Sequence, residues 1–174
     1  KIMASTIQVD KIQDTGGNTI LSSNSTGTFT YSAGTGMGKV LQVVQFVSTD
    51  GQESNTVQQP TWADTFLTAS ITPSAATSKI LVSYVTQANC LADFPAFGVK
   101  RDSTVVADGT SWLGNITTLW ANVSGQYLDS PSTTSSTTYT IVWNNYSSGK
   151  TSWNGWGSAG NGSTQTLTLM EIGA

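Results

Sequence analysis

Apolar side chains in this chain recur at every second position over short stretches, with no window of helical length showing three-to-four spacing. Tyr139, Ile141 and Trp143 share one face, opposite Thr138, Thr140 and Asn144, which is the pattern of a strand with one wet side. Comparable runs cover Val40 to Thr49, Phe66 to Ile71, Ile80 to Gln87, Ala96 to Arg101, Leu119 to Leu128 and Thr164 to Ile172. Turn signals stand between the runs, at Asp50-Gly51, Asp108-Gly109, Ser147-Ser148-Gly149 and Asn161-Gly162. Twenty-three Ser and twenty-eight Thr among 174 residues suit the solvent-facing strand positions and the turns. The expected fold is all-β, an antiparallel sandwich or barrel.

The first 38 residues read differently. Two short apolar pieces, Ile7-Gln8-Val9 and Thr19-Ile20-Leu21, flank Asp14-Thr15-Gly16-Gly17, and a glycine-spaced stretch from Ala33 to Gly38 follows. Pieces this thin bury too little surface to stand as an independent domain. They imply a segment that docks on something else (residues 1–38) ahead of a head domain (39–174). Met3-Ala4-Ser5 reads as a natural start, with Lys1-Ile2 as an extension, and no secretory signal precedes it.

Two runs are apolar on both faces. Val40, Val44 and Phe46 alternate with Leu41, Val43 and Val47, and Ile80, Val82 and Tyr84 alternate with Leu81 and Val85. A sandwich covers one face of each sheet from within, so a second apolar face calls for outside cover. A neighbouring copy is the simplest cover. The alternative is a loop or the N-terminal section folding over that face. Val40, Val44, Phe46, Ile80, Val82 and Tyr84 are the interface candidates.

Composition narrows the chemistry. Seven basic and ten acidic side chains give a net charge of −3, and the one adjacent basic pair, Lys100-Arg101, is followed by Asp102. No basic stripe for nucleic acid is present, and no apolar run reaches the length of a membrane span. With no His and a single Cys, Cys90, neither a Ser-His triad nor a cysteine-histidine zinc site can be built. The expectation is a non-enzymatic protein with no cofactor and no metal. Hydrolysis of a glycoside by two carboxylates brought together from distant positions is the one enzymatic route left open.

Six Trp are the clearest binding signal. Trp62, Trp112, Trp153 and Trp156 fall in or beside glycine- and polar-rich connections, where an indole can stack on a sugar ring or anchor a protein contact. Plugging the ends of the sandwich is the structural alternative. If strands alternate in direction, the connections around 50–63, 89–95, 108–118 and 147–152 share one end. That puts Trp62, Phe94 and Trp112 at one end, next to Trp153, with residues 72–78 and 129–137 at the opposite end.

Several stretches, taken in order, resemble tailed-bacteriophage fibre and virion-surface proteins. Met3-Ala4-Ser5-Thr6-Ile7-Gln8-Val9-Asp10-Lys11-Ile12-Gln13-Asp14 is similar to their opening, and the glycine turn with Thr19-Ile20-Leu21 follows it. Gly38 to Val44, Ile71 to Ser74, Ser78 to Val82, Val99 to Asp102, Leu128 to Pro131 and the ending Leu167 to Ala174 continue the similarity. The resemblance implies a homotrimeric jelly-roll head on the virion surface, on the tail or on the capsid. It also implies attachment to other virion proteins through Ile7, Val9, Ile12, Ile20 and Leu21, with host-surface glycan as a partner of the head. Two other readings remain open at this point: a capsid fibre or cement protein with mainly structural contacts, and a monomeric carbohydrate-binding module.

Overall fold

The computed structural model describes residues 11–23, 29–31, 39–49, 53–90, 93–114, 120–147, 152–154 and 164–173. Every regular element among them is a β-strand. Two compact units divide the chain, Lys1–Gly38 and Lys39–Ala174.

The first unit is a three-stranded antiparallel sheet of β1 (Lys11–Gln13), β2 (Thr19–Ser23) and β3 (Phe29–Tyr31). Asp14 builds its first turn. The carboxylate accepts hydrogen bonds from the Asn18 amide side chain at 2.9 Å, the Asn18 backbone N–H at 2.8 Å and the Gly16 N–H at 2.9 Å. These bonds, the Asn18 side chain foremost, hold the Asp14 carboxyl below the usual range. Ile12 pairs across the strands with Leu21, and Ile12 and Ile20 are exposed. Ile7 and Val9 lie outside the described residues.

The second unit contains β4 (Lys39–Ser48), β5 (Glu53–Asn55), β6 (Ala63–Ile71), β7 (Lys79–Cys90), β8 (Ala96–Arg101), β9 (Thr104–Trp112), β10 (Ala121–Asp129), β11 (Thr137–Asn144), β12 (Ser152–Asn154) and β13 (Gln165–Gly173). In the larger sheet β4, β13 and β7 lie in that order, β10 also pairs with β7, and the short β12 and β5 extend it. The smaller sheet runs β6-β11-β8-β9. Every strand pair is antiparallel. The two sheets enclose one core, with Val82, Tyr84, Val123, Leu167 and Leu169 from the larger and Leu67, Phe97, Val99, Ile141 and Trp143 from the smaller. At its centre Phe97 stacks on Trp143 with ring centroids 5.9 Å apart, and Tyr84 of the opposite sheet reaches Phe97 at 6.5 Å. Tyr84 lies flat across β10 at its register partner Gly125, where a β-carbon would stand 2.5 Å from the ring.

Burial corrects the choice of interface face. Ile80, Val82 and Tyr84 are wholly enclosed by the chain itself, and Val44 and Phe46 pack against the same core. These side chains hold the two sheets together; Ile80, Val82 and Tyr84 present nothing to a neighbour, and Val44 and Phe46 are half-buried against the core. Outside are Leu41, Val43, Val47 and Val85. Period-two alternation cannot tell the faces apart when both are apolar; the larger rings take the interior because only there does an opposing sheet meet them. Val40 stands at a register shift opposite Ile172 and is exposed.

Two buried carboxylates tie the end where the chain enters the head. Glu171 accepts hydrogen bonds from the Ser74 N–H at 2.7 Å, the Ser74 hydroxyl at 2.6 Å and Gln42 Nε2 at 2.7 Å. Burial alone would raise its pKa, but these donors outweigh burial and hold the carboxyl at about 2. Asp129 of β10 accepts both Arg101 Nη1 contacts, at 3.0 and 2.8 Å, and the Tyr139 hydroxyl at 2.6 Å. It thereby joins the larger sheet to β8 and β11 of the smaller.

Gly125→Ala should destabilise the fold by about 1–3 kcal/mol, the range for forcing an extra carbon into a packed core, as read by denaturant unfolding. Because Glu171 has a folded pKa depressed from its ordinary 4.5 to about 2, its contribution is fully present above pH 4.5 and is lost as pH falls toward 2. Melting temperature should drop across that window, and Glu171→Gln should lower it at pH 7 while flattening the acid limb.

Candidate functional site

At the end of the sandwich opposite residues 72–78, the outer face of the smaller sheet opens into a cleft of about 390 Å³. Its lining comes from three places: Gln59, Pro60 and Trp62 ahead of β6, Asp108, Gly109 and Trp112 of β9, and Asn144 at the end of β11. The register sets these residues abreast, since Asn144 pairs with Ala96 and Ala96 pairs with Trp112. Alternation does the rest. Phe97 and Trp143 point into the core, so their neighbours Gly98 and Asn144 face the other way.

Strand β9 is not regular here. Phe97 is opposite Ser111 while Val99 is opposite Ala107, leaving Asp108, Gly109 and Thr110 as a bulge. Asp108-Gly109 therefore ends no strand; it kinks one. Gly109 has φ of 63°, a conformation that side chains disfavour. Its bare α-carbon also seats the Trp112 indole, since a β-carbon would stand 2.7 Å from Nε1. Trp112 is 52% exposed.

The opposite wall is pinned to β11. The Asn145 N–H donates to the Val57 carbonyl at 2.8 Å, and the Gln59 N–H donates back to Asn145 at 2.9 Å. A turn closes with the Thr61 N–H on the Gln58 carbonyl at 3.0 Å, and the Gln59–Pro60 peptide within it is cis. Trp62 follows and lies over Gly98 and Val142.

Asn144 is fully buried, and its Nδ2 donates to the Thr61 carbonyl at 3.1 Å. That bond fixes which way the amide faces, because the flipped group would set oxygen against oxygen. Its Oδ1 has no hydrogen-bond donor. A buried acceptor left unpaired costs about 1–3 kcal/mol, and such groups are uncommon unless something else satisfies them.

The structure thus brings Trp62 and Trp112 to one cleft; the strand count places them only at the same end. Trp153 pairs through its backbone with Asn89 and Ser54 on the larger sheet; its side chain and all of Trp156 lie outside the described residues. Phe94 stands edge-on to Tyr146, with centroids 6.5 Å apart. Gln59 and Asn144 are not among the sequence candidates. Asn144 carries a weak signal at most, as the polar residue that follows an inward Trp at a strand end.

Among the described residues the cleft is lined by two indoles, the Gln59 and Asn144 amides and one carboxylate, Asp108, and by no basic side chain. Two-acid hydrolysis needs a second carboxyl about 5–10 Å away. Asp93 is instead buried and accepts the Ser147 N–H at 3.0 Å, and Asp129 is engaged by Arg101 and Tyr139. Among the described residues no group of three or more His, Cys, Asp or Glu is placed to hold a metal ion. What the arrangement can do is hold a flat, neutral, hydroxyl-bearing ring: indole against its apolar face, acceptors around its edge.

No family model matches the chain, and no curated protein matches it.

Gly109→Ala should displace Trp112 and cost about 1–2 kcal/mol, the penalty for a side chain in the left-handed region. Tryptophan emission and a denaturant curve on the same sample would read both effects.

Proposed function

We propose that this chain is a non-enzymatic virion-surface protein of a tailed bacteriophage, a homotrimeric fibre head that binds host-surface glycan. The observation that carries the reading is the pairing of Trp62 and Trp112 in one cleft with acceptors at its edge. A sugar ring has an apolar face for an indole and hydroxyl donors for the Gln59 amide oxygen and the Asp108 carboxylate. Among the described lining residues none is a cation, which favours a neutral sugar over an acidic one.

The fold component of the proposal is a jelly roll. Its support is the strand order, in which β4-β13-β7-β10 face β6-β11-β8-β9 and, with the short β5 and β12 set aside, successive strands alternate between sheets everywhere except at β8–β9. The N-terminal unit, with Ile12 and Ile20 exposed and Leu21 beside them, is the part assigned to docking on other virion proteins. Three shallow sites on one head gain firm attachment from effective concentration even when each site is weak. A monomeric carbohydrate-binding module would share the cleft, but it leaves the apolar outer face of the larger sheet without a role.

The test is binding of the full chain to an array of neutral and acidic glycans, followed by titration of the best binder. A neutral glycan should bind, and Trp112→Ala should weaken it at least tenfold while leaving the fold intact, since that ring is half exposed. Binding unchanged in both Trp62→Ala and Trp112→Ala would remove the cleft from the function.

A further inference from the structure

We infer that copies of this chain meet through the outer face of the larger sheet. The inference deepens the self-association in the proposed function and rests on that reading; what it adds is the surface. Strand register aligns one apolar row straight across four strands: Val43 is opposite Met170, Met170 is opposite Leu81, and Leu81 is opposite Leu128. Val43 and Leu128, at the ends of this row, are 56% and 48% exposed. A second apolar pair, Val47 and Val85, stands two rows away on either side of Thr166.

Between them runs a polar row that is already paired within the sheet. Gln45 Nε2 donates to Thr168 Oγ1 at 3.1 Å, and Gln126 Nε2 donates to Ser83 Oγ at 3.4 Å. Covering this row would strand few hydrogen-bonding groups, which is the usual obstacle to burying polar surface. None of these rows carries an Asp, Glu, Lys or Arg. A nucleic acid or a strongly charged protein would find no complementary charge here.

Size points to a second copy. Four strands about 4.8 Å apart and about seven residues long present a plane of roughly 450 Å² in projection. Side-chain relief raises the accessible area toward the ~800 Å² that each partner gives to a stable interface. Every copy brings the same uncharged rows, so copies set around a common axis can turn this face inward toward one another without any other protein being supplied.

Size-exclusion chromatography with light scattering on the full chain tests this, comparing wild type with Val43→Lys/Leu128→Lys and with the cleft control Trp112→Ala. In a lone chain both lysines would reach solvent, so folding is not compromised by burial. Wild type and the cleft control should elute as the same multiple of 18.3 kDa, and the double lysine variant should elute as one chain with an unchanged far-UV spectrum. A double variant that keeps the wild-type mass overturns this face while leaving self-association standing. A monomeric wild type, as expected if the N-terminal unit covers the face, overturns both. As a second readout, Ser83→Cys in a Cys90→Ala background should crosslink chain to chain with a short bis-maleimide, and an absence of crosslinked species would contradict the assignment.

Discussion

The contact on which the rest of the head depends is the aromatic stack between the sheets. Tyr84 comes from the larger sheet, Phe97 and Trp143 from the smaller, and all three are closed off from solvent. Gly125 makes room for it by giving Tyr84 a bare strand to lie on. Because strand side chains alternate, fixing Phe97 and Trp143 inward also fixes Gly98 and Asn144 outward. Gly98 is where Trp62 lies, and Asn144 lines the cleft. The core and the cleft are therefore two sides of one constraint.

Much of this was legible in the sequence, and the reasons differ from place to place. The long strands from Lys39 onward are legible because they are apolar runs rich in β-branched and aromatic residues, set between turn residues. That Trp62 and Trp112 share an end follows from counting strand directions, and the count holds because the short β5 and β12 both lie in connections at the cleft end. Which apolar face of β4 and β7 turns inward is not legible, since that depends on the sheet opposite and not on the strand. Nor is the bulge at Asp108-Gly109, because the same dipeptide serves a hairpin turn or a kink within a strand. Asn144 reads as a wet position from its own strand; only the turn at 58–61, folding back onto β11, buries it.

Polar groups divide the labour between the two ends. At the end where the head begins, buried carboxylates are fully engaged: Glu171 by Ser74 and Gln42, Asp129 by Arg101 and Tyr139. At the cleft end Asn144 Oδ1 is buried without a donor. A satisfied network fixes one arrangement of its neighbours, whereas an unsatisfied acceptor is stabilised by whatever donor arrives.

The long pairing of β4 with β13 has a mechanical consequence. The head begins at Lys39, which is opposite Gly173, and nine consecutive residues of β13 then pair along β4 to Gln165 opposite Ser48. The cleft is at the far end of the sandwich. A pull delivered through the chain at Lys39 and resisted at the cleft therefore acts along the strand axis. The ladder would be loaded in shear, its hydrogen bonds sharing the force together and not peeling apart one by one.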